Sequence, residues 1–351
     1  MNVPSGVNLV FHSIRPGGGM ERYVMDVIAE LCRRGISVRG IARKVDWHDA
    51  PQGAEFVVMR DRTPVSRLNN LLFERNALHA CRPDWKTIGI SRVPGAVDLA
   101  IVGGTHIGHL HDKGKRYPGL FDRLTIRHET QFYRKAKLIM PHSKRVAGEI
   151  SQLYDIPVSK VAVHYPPVDT QKFSLAAREK REAIRQTLGI RSDQFMLLFP
   201  SNNHTLKGAE LILQALQAFG GKVILVVAGK APLQAPHVVN AGFCQDMPAL
   251  YAAADATILA SKYEAFGLVG PESILCGTPV LLANTIGAVE VLREPGCYVF
   301  GRSVDELTDC LLKVVNLRED GLPRSPEWVG KSLDYPYSIS MHVNSVLSLL
   351  G

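Results

Sequence analysis

No stretch of this 351-residue chain approaches the roughly 18 consecutive apolar residues of a membrane-spanning helix, which excludes an integral protein built on such spans. The opening MNVPSGVNLVFHSIRPGGG lacks a basic leader and a small-residue cleavage site, so a cytoplasmic location is expected. Six cysteines are present, Cys32, Cys81, Cys244, Cys276, Cys297 and Cys310, without a CxxC pair. That scatter argues against a zinc site and a disulfide framework, and it fits a reducing compartment. Short-period repeats and low-complexity tracts are absent, which removes solenoid and linker-like readings. Acidic residues are scarce in one place: from Lys113 to Arg145 ten Lys or Arg face only Asp122 and Glu129, an excess equal to the net charge of +8 of the whole chain. The basicity is therefore local. It is either a solvated face or a surface for anionic lipid head groups, phosphorylated molecules or nucleic acid.

With 46% hydrophobic and 21% charged residues the chain has the balance of a folded globular protein, and its length calls for two domains. The N-terminal half opens with an apolar run at residues 7–11 and a glycine-rich turn. Met20, Val24, Val27, Ile28 and Leu31 follow at helical spacing, stopped by Gly35. Further strands are expected at 38–42, 56–59, 99–102 and 137–140. After Pro166-Pro167 and a charged segment the alternation restarts, with strands at 195–199, 223–228, 256–259 and 279–282 and helices at 208–219, 247–254 and 271–276, the last opened by Pro271. Such alternation predicts an α/β protein with two parallel-sheet, Rossmann-like domains, 1–166 and 167–351. A short helix is expected near 338–350, and its spacing does not say which domain it packs on.

The most informative segment is SKYEAFGLVGPE, residues 261–272, which leaves a buried-strand pattern and enters a helix. A helix N-terminus presents free N–H groups suited to a diphosphate, and Gly267 and Gly270 allow the backbone close to a ligand. Carboxylates beside phosphates repel them, so Glu264 and Glu272 make sense there as acceptors of hydrogen bonds from sugar hydroxyls. Against this stands the plain alternative of an exposed loop Glu and a helix-favouring first-turn Glu.

Glu264 and Glu272, with seven residues between them in EAFGLVGPE, resemble the E-x7-E motif of the retaining glycosyltransferases of family 4, which have the GT-B fold of two Rossmann-like domains and an interdomain cleft. The opening RPGGGMERYVMDVIAELCRRG resembles that family's glycine loop and first helix, HTLKG its phosphate-binding Lys-Gly, and VNAGFCQDMPALYAAADATILAS its base-binding loop and following strand. The resemblance implies that Glu272 binds the donor ribose hydroxyls and that Glu264 binds a hydroxyl of the transferred sugar. Backbone amides around Phe266, Gly267, Leu268 and Val269 would take the diphosphate or sugar, and Lys207 would neutralise the leaving diphosphate. It further implies donor and acceptor contact by Gly17, Gly18 and Gly19, a histidine near the reacting carbon aligned with His106, and backbone contacts to the nucleobase at Phe243 and Cys244. For Phe243 and Cys244 a buried strand end reads equally well, and a simple turn is the alternative for the three glycines. Asn202 stands where the family often carries an arginine, which would shift charge neutralisation onto Lys207 or backbone dipoles.

The expected activity is retaining transfer of a hexose from a UDP- or GDP-sugar, without metal or other cofactor, to a cell-envelope saccharide. Its acceptor class is lipopolysaccharide core or a related polysaccharide or glycolipid, because IRHETQFYRKAKLIMPHSK and YDIPVSKVAVHYPPVD are similar to lipopolysaccharide-core transferases. Peripheral attachment to an anionic membrane surface through the basic stretch is expected, and nucleic acid is not an expected partner. A metal-dependent GT-A enzyme would carry Asp-x-Asp, and the sequence has none. A nicotinamide dehydrogenase is disfavoured because PGGGME departs from GxGxxG. A nucleotide-sugar epimerase or hydrolase of GT-B shape remains the alternative, since it would hold the same diphosphate and ribose.

Overall fold

The computed structural model describes residues 4–115, 117–319 and 324–351. They divide into two compact units, residues 1–167 with 336–351, and residues 168–335.

The first unit is built on six parallel strands: β1 (Gly6–Val10), β2 (Ser37–Ala42), β3 (Ala54–Val58), β4 (Lys86–Gly89), β5 (Leu99–Val102) and β6 (Leu138–Pro141). They lie in the order β3-β2-β1-β4-β5-β6. Helix α1 (Gly19–Arg33) buries Val24, Val27, Ile28 and Leu31 on the predicted face. It ends in a Schellman pair, Gly35 N–H to the Cys32 carbonyl at 2.9 Å and Ile36 N–H to that of Leu31 at 3.1 Å. The other helices used below are α2 (Ser66–Asn76), α3 (His106–Asp112), α4 (Leu120–Lys135) and α5 (Lys144–Tyr154).

The second unit repeats the plan with β7 (Phe195–Pro200), β8 (Val223–Ala228), β9 (Val238–Gly242), β10 (Ala256–Leu259), β11 (Val280–Ala283) and β12 (Cys297–Phe300), ordered β9-β8-β7-β10-β11-β12. Its helices include α6 (Arg181–Thr187), α7 (Ala209–Leu216), α8 (Met247–Ala253), α9 (Val269–Leu275), α10 (Val304–Glu319) and α11 (Pro326–Ser332). Strands β8, β10 and β11 are buried at every position, as parallel strands covered on both faces must be.

Strands β4, β9 and β12 were not among those expected. The first is four residues, KTIG, pressed against a Pro-Asp-Trp turn; β9 is a half-exposed edge strand; β12 has one exposed residue in four. Polar residues break the apolar run in β4 (Lys86, Thr87) and in β9 (Asn240). The last helix, α12 (Ile339–Leu350), belongs to the first unit: it packs on α1, and Val343, Val346 and Leu350 join the core of Val24, Ile28 and Leu31. Burial of each such side chain stabilises that docking by about 1.5–3 kcal/mol.

In both sheets the strand order reverses between the first strand and the fourth, so each has one topological switch point, where open α/β sheets bind ligands beyond the C-terminal strand ends.

Candidate active site

In the second unit the switch point lies between β7 and β10. The chain leaves β7 through Ser201 to Gly208 and enters α7; it leaves β10 through Ala260 to Leu268 and enters α9. Lys207 closes the first of these turns and Glu264 lies in the second. The Lys207 ammonium and the Glu264 carboxylate pair directly, both side chains remaining partly exposed. Gly208 makes that approach possible. Its φ is +81°, and a Cβ there would stand 2.2 Å from the Ala260 carbonyl oxygen, so the turn after β7 presses on the end of β10.

The Glu264 loop is pinned along its length. Gly287 N–H donates to the Glu264 carbonyl at 3.0 Å, Ala288 N–H to that of Phe266 at 2.7 Å, and Thr285 Oγ1 to that of Ser261 at 2.6 Å. Gly267 has φ +95° and no room for a side chain, since a Cβ would lie 2.8 Å from Ile286 Cγ2. Phe266 is buried and meets the Tyr335 ring edge-on at 5.8 Å.

Helix α9 begins at Val269, two residues before the expected start at Pro271. The proline occupies the third helical position, still within the first turn where a missing N–H costs nothing. Gly270 N–H is taken by the Gly267 carbonyl and Glu272 N–H by that of Leu268. Those two bonds lie beyond Phe266 to Val269, the stretch expected to offer its amides to a ligand. Glu272 lies in the first turn of α9 and is only 6% exposed, and Tyr251 on α8 donates its hydroxyl to Glu272 Oε2 at 3.0 Å.

Asn202 accepts from Lys230 N–H at 3.2 Å through Oδ1, tying the β7 turn to the end of β8. Phe243 follows β9 and is 66% exposed, so the buried-strand-end reading fails; the Lys230 ammonium lies 5.7 Å from its ring centre. Sequence reasoning missed His204, whose Nδ1 and Nε2 lie 2.9 Å from Ser201 Oγ and from the Ala231 carbonyl and brace the Lys207 turn. It also missed Tyr251 and the 285–288 segment. Neither carries a local signal, because their role arises from contact across the sheet.

In the first unit Gly17 and Gly18 precede α1 and Gly19 opens it. None of the three has positive φ, and a Cβ at Gly17 or Gly18 would meet only the flexible Glu21 side chain, at 3.3 and 3.0 Å. The turn itself therefore does not demand glycine. His106 opens α3 after β5: its N–H donates to Glu129 Oε2 at 2.9 Å, and its Nε2 is 3.1 Å from Asp122 Oδ1. Asp122 is held well below the usual carboxylate range, chiefly by its hydrogen bond from Lys115.

Nearby lies a charged network that the sequence did not disclose. Glu74 on α2 and Glu129 on α4 are each 1% exposed. Glu74 bonds His12 Nε2 at 3.1 Å and His128 Nδ1 at 2.8 Å; Glu129 accepts from Arg92 Nε at 3.2 Å and from the Tyr154 hydroxyl. Burial alone would raise the Glu74 pKa, but the His12 and His128 hydrogen bonds outweigh it and leave it at about 2. His12 follows β1 and Arg92 follows β4, the strands flanking the first switch point. The basic stretch runs through α4, with Arg123, Arg127, Arg134, Lys135 and Lys137 exposed; Arg116, part of the same stretch, lies outside the described residues.

Residues 17–172 match the family model described as Glycosyltransferase Family 4, and residues 180–323 the model described as Glycosyl transferases group 1. Over 98% of its length the chain is 33% identical to a Burkholderia thailandensis protein named "Probable transglycosylase", of which it covers 96%. The chain belongs to the family 4 glycosyltransferases. The solved structures agree on the fold. WaaG, a glycosyltransferase involved in lipopolysaccharide biosynthesis, superposes with a TM-score of 0.70 at 18% identity, covering 98% of this chain and 97% of WaaG. HepE of Anabaena, solved in complex with UDP-glucose, gives 0.72 at 17% identity, over 98% and 99%. The transferase thus has the GT-B fold, and Lys207 and Glu264 are the residues brought into contact at its second switch point.

Proposed function

We propose that this transferase moves a hexose, with retention of anomeric configuration, from a UDP- or GDP-sugar to a cell-envelope saccharide of the lipopolysaccharide-core or related polysaccharide or glycolipid class. The observation that carries the proposal is the Lys207–Glu264 pair at the second switch point, with Glu272 eight residues on in the first turn of α9. In the free protein each charge neutralises the other. With donor bound, Lys207 and the amides around Phe266 to Val269 would hold the departing diphosphate, Glu264 would accept from a hexose hydroxyl and Glu272 from the ribose. The bond from the anomeric carbon to phosphate breaks through an oxocarbenium-like state. The acceptor oxygen attacks from the same face, and its proton passes to the leaving phosphate oxygen.

The uridine donor draws support from HepE, solved with UDP-glucose, and the envelope acceptor from WaaG's part in lipopolysaccharide biosynthesis. Gly17 to Gly19 and His106 are assigned to substrate contact, Asn202 and Phe243 to the nucleotide end. Metal independence belongs to the proposal and rests on the missing Asp-x-Asp. Peripheral membrane attachment is assigned to exposed Arg123, Arg127, Arg134 and Lys135 of α4, with Tyr117 (76% exposed) and Leu120 (72% exposed) beside them. Flotation with anionic liposomes at low salt tests it, and protein left at the bottom of the gradient counts against it.

The deciding experiment is a thermal-shift screen of nucleotide sugars in EDTA, followed by product analysis with and without acceptor. Stabilisation by a UDP- or GDP-sugar and a new glycoside formed only with acceptor is the expected result. Turnover that ignores acceptor would indicate an epimerase or hydrolase instead.

A further inference from the structure

The N-terminal strand ends of the second sheet, on the edge opposite Lys207 and Glu264, carry four guanidinium groups around one carboxylate. Asp255 immediately precedes β10 and is already occupied: Arg181 Nη2 reaches Oδ1 at 2.5 Å, Arg185 Nη1 reaches Oδ2 at 3.0 Å, and Met196 N–H donates to Oδ2 at 2.7 Å. Arg181 also donates to the carbonyls of Ala252, Ala253 and Ala254, closing the C-terminus of α8. The other two arginines, Arg178 and Arg324, converge on a single neutral acceptor, the Gly277 carbonyl just past α9, Arg178 Nη1 at 3.2 Å. The Arg178 side chain lies so close to Gly277 that a Cβ there would be 3.0 Å from Arg178 Cδ. Arg324 is further held by stacking over Trp328, 5.5 Å from the ring centre. Among the described residues neither guanidinium has a carboxylate at ion-pair distance.

Capping the last carbonyl of a helix accounts for one donor on each side chain. It does not account for two cations brought side by side where one neutral donor would serve, since partly buried charges with no carboxylate in direct contact are costly. Burial, reinforced by Arg178 and Arg181, lowers the Arg324 pKa to about 10, and burial with Arg181 lowers that of Arg178, with Asp255 offsetting only part of the shift in each. An oxyanion with several acceptor oxygens would offset the rest, and paired forks of this kind suit a phosphate.

We propose that Arg178 and Arg324 form a phosphate-binding site, bordered by Arg181, separate from the donor site. The ligand is a phosphate group, either of a soluble phosphorylated molecule or of a phospholipid head group. The site does not depend on the transferase proposal. The test uses the full chain in a Lys207→Ala background, which removes the donor site's lysine from phosphate binding, and the Arg variants separate what remains there from the arginine site. Inorganic phosphate is titrated by calorimetry at low ionic strength against matched chloride. Saturable binding is expected, weakened about tenfold or more in Arg178→Gln and in Arg324→Gln and lost in the double variant. Exposed Arg191→Gln, the control, should bind like the parent. Glutamine keeps a capping donor, so without phosphate the variants should melt at or above the parent temperature. A purely structural pair would lower it. In a second arm, co-sedimentation with phosphatidylglycerol vesicles that falls in the double variant identifies the lipid source, and binding confined to inorganic phosphate identifies a soluble one. No phosphate-specific heat in the parent, or equal binding by parent and double variant, overturns the proposal.

Discussion

Lys207 and Glu264, 57 positions apart, meet as an ion pair where the turns after β7 and β10 converge. Both side chains are partly exposed, and such pairs contribute about 0–1 kcal/mol to stability. The fold does not need this contact, which makes it a clean target.

Lys207→Ala should melt within about 4 °C of the parent, the shift expected for up to about 1 kcal/mol in a chain of this size. Its transfer rate should fall about 10²–10³-fold, the usual loss for one oxyanion-stabilising group. Steady-state kinetics beside a melting curve separates the two. A rate within threefold of the parent would remove Lys207 from the diphosphate site.

Glu272 is buried and its Oε2 accepts from Tyr251. Tyr251→Phe should cost about 1–3 kcal/mol in urea unfolding, because a buried carboxylate loses a donor, and should weaken UDP stabilisation. Glu272→Ala should abolish nucleotide stabilisation. If UDP raised the melting temperature of Glu272→Ala as much as that of the parent, its ribose assignment would be wrong.

Gly208→Ala adds both a strained φ and a clash with the Ala260 carbonyl. A loss of about 1–3 kcal/mol is expected from the backbone conformation alone, with more from displacement of β10. The Lys207 turn should move with it, so stability and donor binding fall together. Equal falls in Gly114→Ala, where the added Cβ meets open space, would deny the clash its part.

The docking of α12 predicts acid sensitivity. His342 Nε2 bonds the Tyr23 hydroxyl at 2.8 Å and its Nδ1 lies 3.1 Å from the Tyr165 carbonyl, while His142 packs against the same tyrosine ring, 4.8 Å away. Burial lowers His142 from its ordinary 6.5 to about 3 and His342 to about 4. Above pH 6.5 both are neutral folded or unfolded, and stability is complete. As pH falls below 6.5 the unfolded chain takes up protons that the folded one refuses, so stability declines towards the folded values, by about 2 kcal/mol per histidine at pH 5. Glu74, held at about 2, adds loss only below its ordinary 4.5. Urea midpoints from pH 7.5 to 4.5 should fall in the parent and about half as steeply in His342→Gln, where His142 remains. A flat parent profile would contradict the buried neutral state.

Strands β5, β8 and β10 were legible to the residue, because an apolar run bounded by polar turns is a local pattern. So were the face of α1 and the spacing of Glu264 and Glu272, which marks a family whatever the fold around it. The start of α9 was misplaced by two residues because proline tolerates any first-turn position, and only the Leu268 carbonyl bonded to Glu272 N–H shows where the helix begins.

By itself the sequence determined the α/β alternation, the two sheets and the family motif, because each is written in residues close together along the chain. Strand order, the meeting of Lys207 with Glu264, the burial of Glu272 under Tyr251, the Glu74 network and the attachment of α12 to the first unit were decided only by tertiary structure. Those contacts join segments tens to hundreds of residues apart, and what selects them is the packing of apolar faces across the sheets, which no local periodicity encodes.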